Sequence, residues 1–226
     1  MLESKESKAT KGSKVRHLYS TLFKVGVLAF HGDVVEHIKA LEEAASKLKI
    51  KLSIVEVRTK NDLEGLLGLI IPGGESTTLY KLCAREGMFE GMKKVPAIFG
   101  TCAGAIMLAR NVLHKSEGQE SLGLMDISVD RNAYGRQADS FEEFLGTELG
   151  MVKAVFIRAP KILEVGKGVK VLAEKNGEIL VCEERVKGKY YLAAAFHPEL
   201  TTTVFHEYFI GKLLSDSRFL GNDTNE

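Results

Sequence analysis

Charge of one sign, long apolar runs and cysteine are all scarce in this chain of 226 residues. Lys and Arg number 31 against 30 Asp and Glu, a formal net charge of +1. No global field therefore argues for nucleic acid or an anionic membrane as a partner. No apolar run is long enough to span a bilayer, and the N-terminus has no signal-peptide core. The three cysteines, Cys83, Cys102 and Cys182, are an odd number without metal-site spacing. That pattern implies free thiols in a reducing compartment, so the expectation is a soluble, cytoplasmic protein. Hydrophobic content of 45% and charged content of 27% suit a globular domain with a real core.

The ends read differently from the middle. Residues 1–22 carry Lys5, Lys8, Lys11, Lys14 and Arg16 with no apolar period. They read as a flexible basic extension, better explained as solvated tail than as a contact arm. Residues 23–214 form one domain, and 215–226 a polar C-terminal tail.

Within the domain, apolar β-rich runs alternate with helical periods. Phe23 to Phe30 reads as a central strand, and Lys51 to Arg58 as a second. Between them Val34, Ile38, Leu41, Ala45 and Leu48 mark an amphipathic helix. Asp33 with Glu36 three residues on makes a capping-box-like start to it. A buried strand from Gly68 ends at Pro72, and two glycines lead through Glu75 and Ser76 into a helix over 77–86. Cys83 on that helix reads as core. Val95–Phe99 and Met125–Val129 are further strands, with a helix over 103–110 after the first. Ala154–Ile157, Lys170–Ala173, Glu178–Glu183 and Lys189–Phe196 follow as β runs, and Thr201–Leu214 as a terminal helix. Asn176-Gly177 is a hairpin signal. Such alternation predicts an α/β fold: a three-layer α/β/α sandwich on a mixed, mostly parallel sheet. Ligands in such sheets bind beyond the carboxyl ends of the strands, where Pro72, Cys102 and Phe196 would lie together.

Gly100-Thr-Cys-Ala-Gly104 stands between a strand and a helix, the cysteine counterpart of the nucleophile elbow. Glycines there let a strand reverse sharply into a helix, thrusting the central side chain out. A thiol at a helix N-terminus meets the positive end of the dipole, which favours the thiolate. The plainer account makes Cys102 a small buried hydrophobe. His197-Pro198-Glu199 tips the balance. Pro198 biases His197 toward an extended backbone, where residues two apart point the same way. Glu199 can then orient the imidazole, giving the order Cys…His…Glu that nucleophilic catalysis needs. A lone histidine at a strand end would need no such role.

Five blocks occur in order: PGGESTT at 72–78, GTCAG at 100–104, RNxYGRQxDSF at 131–141, FIRAP at 156–160 and FHPELT at 196–201. Together they resemble the glutaminase subunits of pyridoxal phosphate synthase, which are class I glutamine amidotransferases with a flavodoxin-like fold. The resemblance covers about Phe23 to Leu214. It implies hydrolysis of L-glutamine to L-glutamate and ammonia, with Cys102 as nucleophile, His197 as base and acid, and Glu199 as the orienting carboxylate. It further implies glutamine binding by Gly74, Glu75, Ser76, Arg131, Ile157 and Arg158. Gly74 and Ala103 would supply the oxyanion hole. No cofactor and no metal are implied. The implied partner is a barrel-shaped synthase subunit in a large hetero-oligomer, receiving the ammonia for vitamin B6 synthesis. Alternatives are a glutaminase of another amidotransferase, a γ-glutamyl peptidase, or a catalytically silent regulatory subunit. His31 stands where such subunits commonly carry glutamine, and the lysine-rich extension before Phe23 is also unusual.

Overall fold

The computed structural model describes residues 23–133 and 140–216. Of the expected features, the extension at 1–22, the tail from 217 and positions 134–139 of the RNxYGRQxDSF block lie outside these residues.

Five strands run parallel in the middle of the molecule. They are β1 (Phe23–Leu28), β2 (Leu52–Val57), β3 (Gly68–Ile71), β4 (Ala97–Thr101) and β12 (Lys189–Ala194), in the order β2-β1-β3-β4-β12. The continuous apolar runs of β3 and β4 reflect burial on both faces, whereas β2 at the edge is mostly half-buried. In β3 and β4 every residue is buried. Beyond β12 the sheet turns antiparallel through β11 (Glu178–Val186), β9 (Lys161–Val165) and β6 (Met125–Asp130). It ends at β5 (Ala109–Leu113), parallel to β6, while β10 (Val169–Lys175) pairs with β11 beside this path. A separate hairpin joins β7 (Phe141–Thr147) to β8 (Gly150–Phe156).

The strand alternation splits the core into two layers. Val25, Val27, Ile70, Phe99 and Leu192 point to one face, against Leu41 and Ala44 of α1 (Val34–Leu48) and Phe205 and Phe209 of α5 (Val204–Ser215). Leu69, Ile71, Ile98 and Tyr191 point to the other. There they meet α2 (Ser76–Arg85), α3 (Phe89–Lys94) and α4 (Ala103–Leu108). Each fully buried Phe or Leu is worth roughly 1.5–3 kcal/mol over exposure, so both helix layers are firmly held. The α/β sandwich expected from the alternation is the fold observed.

The differences are local. The helix after the elbow stops at Leu108 rather than Arg110, and the chain passes directly into β5. Backbone N–H groups of Leu122 and Leu124 bond the carbonyls of Met107 and Leu108, which ends the helix. The terminal helix starts at Val204, because Pro198–Leu200 forms a 3-10 turn first. Strands β7 and β9 and helix α3 have no counterpart in the sequence reading, and Ala109 and Arg110, expected as helix, open β5 instead. Asn176 and Gly177 do form the β10–β11 turn, both with positive φ (52° and 79°), as a type I′ hairpin requires.

Candidate active site

The carboxyl ends of β1, β3, β4 and β12 converge on one cleft of about 360 Å³. Cys102 is the residue between β4 and α4, at φ 48° and ψ −104°. A non-glycine residue there is strained, and that strain recurs at nucleophile elbows. Its N–H donates to Ala194 O at 2.8 Å, and its carbonyl accepts from Ala105 and Ile106, which fixes the turn. The motif glycines act differently from the sequence expectation. The positive φ falls on Cys102 itself, and the glycines allow close packing instead. A Cβ on Gly104 would lie 2.0 Å from Ile71 O, and one on Gly100 2.4 Å from Gly104.

His197 follows β12, its N–H donating to Val155 O at 2.9 Å. Glu199 is not extended but sits in the 3-10 turn after Pro198, and it still reaches the ring: Oε1 lies 2.8 Å from His197 Nδ1. A second carboxylate reaches the same nitrogen, Asp33 Oδ2 at 2.9 Å. Asp33 holds the N-cap position of α1 as the sequence suggests, but its side chain makes no capping bond. It is turned toward His197 instead. Burial disfavours the imidazolium, but bonds with Asp33, Cys102 and Glu199 outweigh it and hold His197 well above the usual histidine range. The ligand atoms of Asp33, His197 and Glu199 fall within 4.8 Å of one another, close enough for a metal ion. One shared Nδ1–H already explains the convergence, and a cation would have to displace it.

The opposite wall is built by the loop after β3. Gly73 packs on the imidazole; a Cβ there would stand 2.3 Å from His197 Cε1. Gly74 has φ 125° and lies against the His31 ring. Glu75 caps α2, accepting from Thr77 N at 3.0 Å and Thr78 N at 2.6 Å. Despite partial burial, those bonds pull its carboxyl down to about 2. It also pairs with Arg131 at 3.0 Å. Arg131 is further pinned by Thr77, Ser116 and Gln119 at 2.7–3.0 Å. Gln119 Nε2 in turn donates to the buried Ser76 Oγ at 3.2 Å. Across the cleft the Cys102 thiol faces the carbonyl of Ile157 at 3.9 Å, and Arg158 follows with φ 44°. A larger hollow of about 410 Å³ lies elsewhere, between α1 and residues 199–204, and holds no cysteine or other nucleophilic thiol.

Every site residue expected from the sequence is therefore found at this one place. Gly74, Glu75, Ser76, Cys102, Arg131, Ile157, Arg158 and His197 line the cleft; Ala103 is buried at the elbow, and Glu199 stands behind His197. Three participants were missed. Asp33 carried only a helix-start signal, while Ser116 and Gln119 sit in a segment without periodic pattern.

A family model described as the SNO glutamine amidotransferase family matches residues 27–215. The chain belongs to that family. Among its relatives, a protein of Methanosarcina mazei is 45% identical over 201 residues, 85% of this chain and 99% of that one. One of Korarchaeum cryptofilum is 44% identical over 200 residues, covering 84% and 98%. One of Oenococcus oeni is 46% identical over 195 residues, covering 83% and 95%. All three are named pyridoxal 5'-phosphate synthase subunit PdxT. A solved structure titled as a glutamine amidotransferase superposes with a TM-score of 0.71 at 44% identity, covering 85% of this chain and 99% of that one. The SNO match takes in the whole cleft from His31 to His197, and Glu199 behind it.

Proposed function

We propose that this chain hydrolyses the side-chain amide of L-glutamine, as the glutaminase subunit of a pyridoxal 5'-phosphate synthase. The observation that carries the reading is the meeting of the Cys102 elbow with an imidazole whose far nitrogen is 2.8 Å from Glu199. The thiolate attacks the amide carbon, and the oxyanion that forms takes hydrogen bonds from the N–H groups of Ala103 and Gly74. Each such donor is worth about a hundred- to thousand-fold in turnover. His197 gives its Nε2 proton to the departing ammonia as the thioester forms. The neutral ring then takes a proton from water, whose oxygen opens the thioester to glutamate and returns the thiolate beside the imidazolium.

Arg131, held rigid by its four partners, offers a cation to the α-carboxylate of glutamine, with Ile157 and Arg158 closing the other side. The cap and ion pair leave Glu75 partly exposed, so one face of its carboxylate can meet the α-ammonium group. The ammonia passes to a separate synthase subunit in a hetero-oligomer. The test is glutamate release from glutamine with and without the cognate synthase. Cys102→Ala should abolish release and leave the assembly intact by size-exclusion chromatography. Unchanged turnover in that variant would overturn the nucleophile.

A further inference from the structure

One imidazole N–H faces two carboxylates, and their surroundings differ. Glu199 has a fully buried side chain, and its Oε2 has no hydrogen-bond partner among the described residues. Asp33 reaches the same Nδ1 at 2.9 Å from a loop where its side chain keeps about a third of its surface in contact with solvent. Two adjacent full negative charges repel, and the cost falls on the one that water cannot reach.

We propose that Asp33 is a positioning residue that supplies the negative charge beside the His197 imidazolium, while Glu199 chiefly sets the direction of the ring. The proposal rests on the glutaminase reading above and assigns a fourth member to its triad. The side chain's conduct at the start of α1 supports it. Aspartate at an N-cap ordinarily bonds the N–H groups of the first turn, at about 1 kcal/mol of stabilisation. Asp33 forgoes that bond and turns inward. The directions of the carboxyl shifts agree with the division. The His197 bond holds Asp33 low, whereas burial holds Glu199 high. The other titratable groups facing this cluster are Cys102 from the elbow, His31 from the same loop, and His37 of α1. His37 lies 3.5 Å from Glu199 and approaches from behind.

The experiment compares Asp33→Asn, Asp33→Ser and Glu199→Gln in the full chain. Asn and Ser both cap helices, so α1 keeps its start and thermal melts report whether folding is intact. Histidine-labelled protein gives the His197 titration by NMR, assigned with His197→Asn and independent of turnover. The His197 midpoint should fall by about 1 unit or more in both Asp33 variants, the size expected for loss of an adjacent charge. It should move less in Glu199→Gln. With synthase present, the alkaline limb of kcat/KM should move the same way. The double variant Asp33→Asn/Glu199→Gln should lose more turnover than the product of the single losses. An unmoved midpoint in both Asp33 variants, or a larger movement in Glu199→Gln, would overturn the proposal. A live Cys102→Ala would instead sink the glutaminase reading while leaving the NMR result standing.

Discussion

His37 Nδ1 lies 2.9 Å from His206 Nε2, and both rings are fully buried. The other nitrogen of His37 meets Thr101 Oγ1 at 3.1 Å and faces Glu199 at 3.5 Å. Two histidines on α1 and α5 thus back the proposed triad from inside the core. A single proton sits between them, so at least one of the two rings is neutral. Burial, first of all, holds His37 well below the usual range and His206 down to about 3.

That pair should give the fold a pH dependence. His206 is depressed in the folded state, so its stabilising effect is complete above about pH 6.5 and is lost as pH falls toward 3. Between pH 7 and pH 5 the loss expected from His206 is about 2 kcal/mol, and His37, held low by the same burial, adds to it in the same direction. His197 is raised instead, so below about pH 6.5 it is charged in both states and adds little to the slope. Urea denaturation at pH 7 and pH 5 measures this. His206→Phe should be less stable than the parent at pH 7, with the gap narrowing at pH 5. A constant gap would contradict the neutral pair.

His197→Asn should be as inactive as Cys102→Ala, since among the described residues no other acid stands beside the thiol on the cleft side of the elbow. Glu199→Gln should retain more turnover, because a residue that only orients is partly dispensable. Glutamate release with the synthase present compares them. Equal loss at Glu199 would mean that it carries charge as well as direction.

Gly104→Ala should destabilise the chain by at least the 1–3 kcal/mol typical of overpacking. The added methyl would stand 2.0 Å from Ile71 O, and backbone on both sides leaves little room to yield. Denaturant melts give the size of the effect. Gly118→Ala offers a control, since no atom lies within 4 Å of a Cβ there, though its φ of 70° adds some backbone strain.

Arg131→Lys should raise KM for glutamine about tenfold or more with little change in kcat. Lysine cannot reproduce the forked contacts to Thr77, Ser116, Gln119 and Glu75. A loss confined to ground-state and transition-state binding alike appears in KM alone. Gln119→Ala should act in the same direction, because it frees one side of the guanidinium and leaves the buried Ser76 without its donor. A fall in kcat at unchanged KM would place Arg131 in the chemical step.

The parallel centre of the sheet was legible because strands buried on both faces leave unbroken apolar runs such as Gly68–Ile71 and Ala97–Phe99. The elbow, His197 and Glu199 were legible because short, fixed spacings bring them to strand ends. β7 was not: Phe141–Thr147 lies mostly exposed and carries Glu142 and Glu143, so little apolar signal marks it as a strand. β5 was hidden because it continues a helix with no breaker between Leu108 and Ala109. Asp33 was misjudged for a different reason. Its sequence neighbourhood describes a helix start, and that the side chain serves a histidine 164 positions away depends on tertiary packing.

The strained turn at Cys102 has company that bears on handling the protein. Cys83 and Cys182 are buried, and burial pushes both thiols up to about 12. No other cysteine occurs in the chain. Cys102, although only 5% exposed, is the one of the three that lines the cleft, so brief alkylation at neutral pH should fall on it first, and mass spectrometry of the product would then count competent clefts directly. Protection by glutamine would convert that count into an occupancy curve, without a substitution or an ammonia assay.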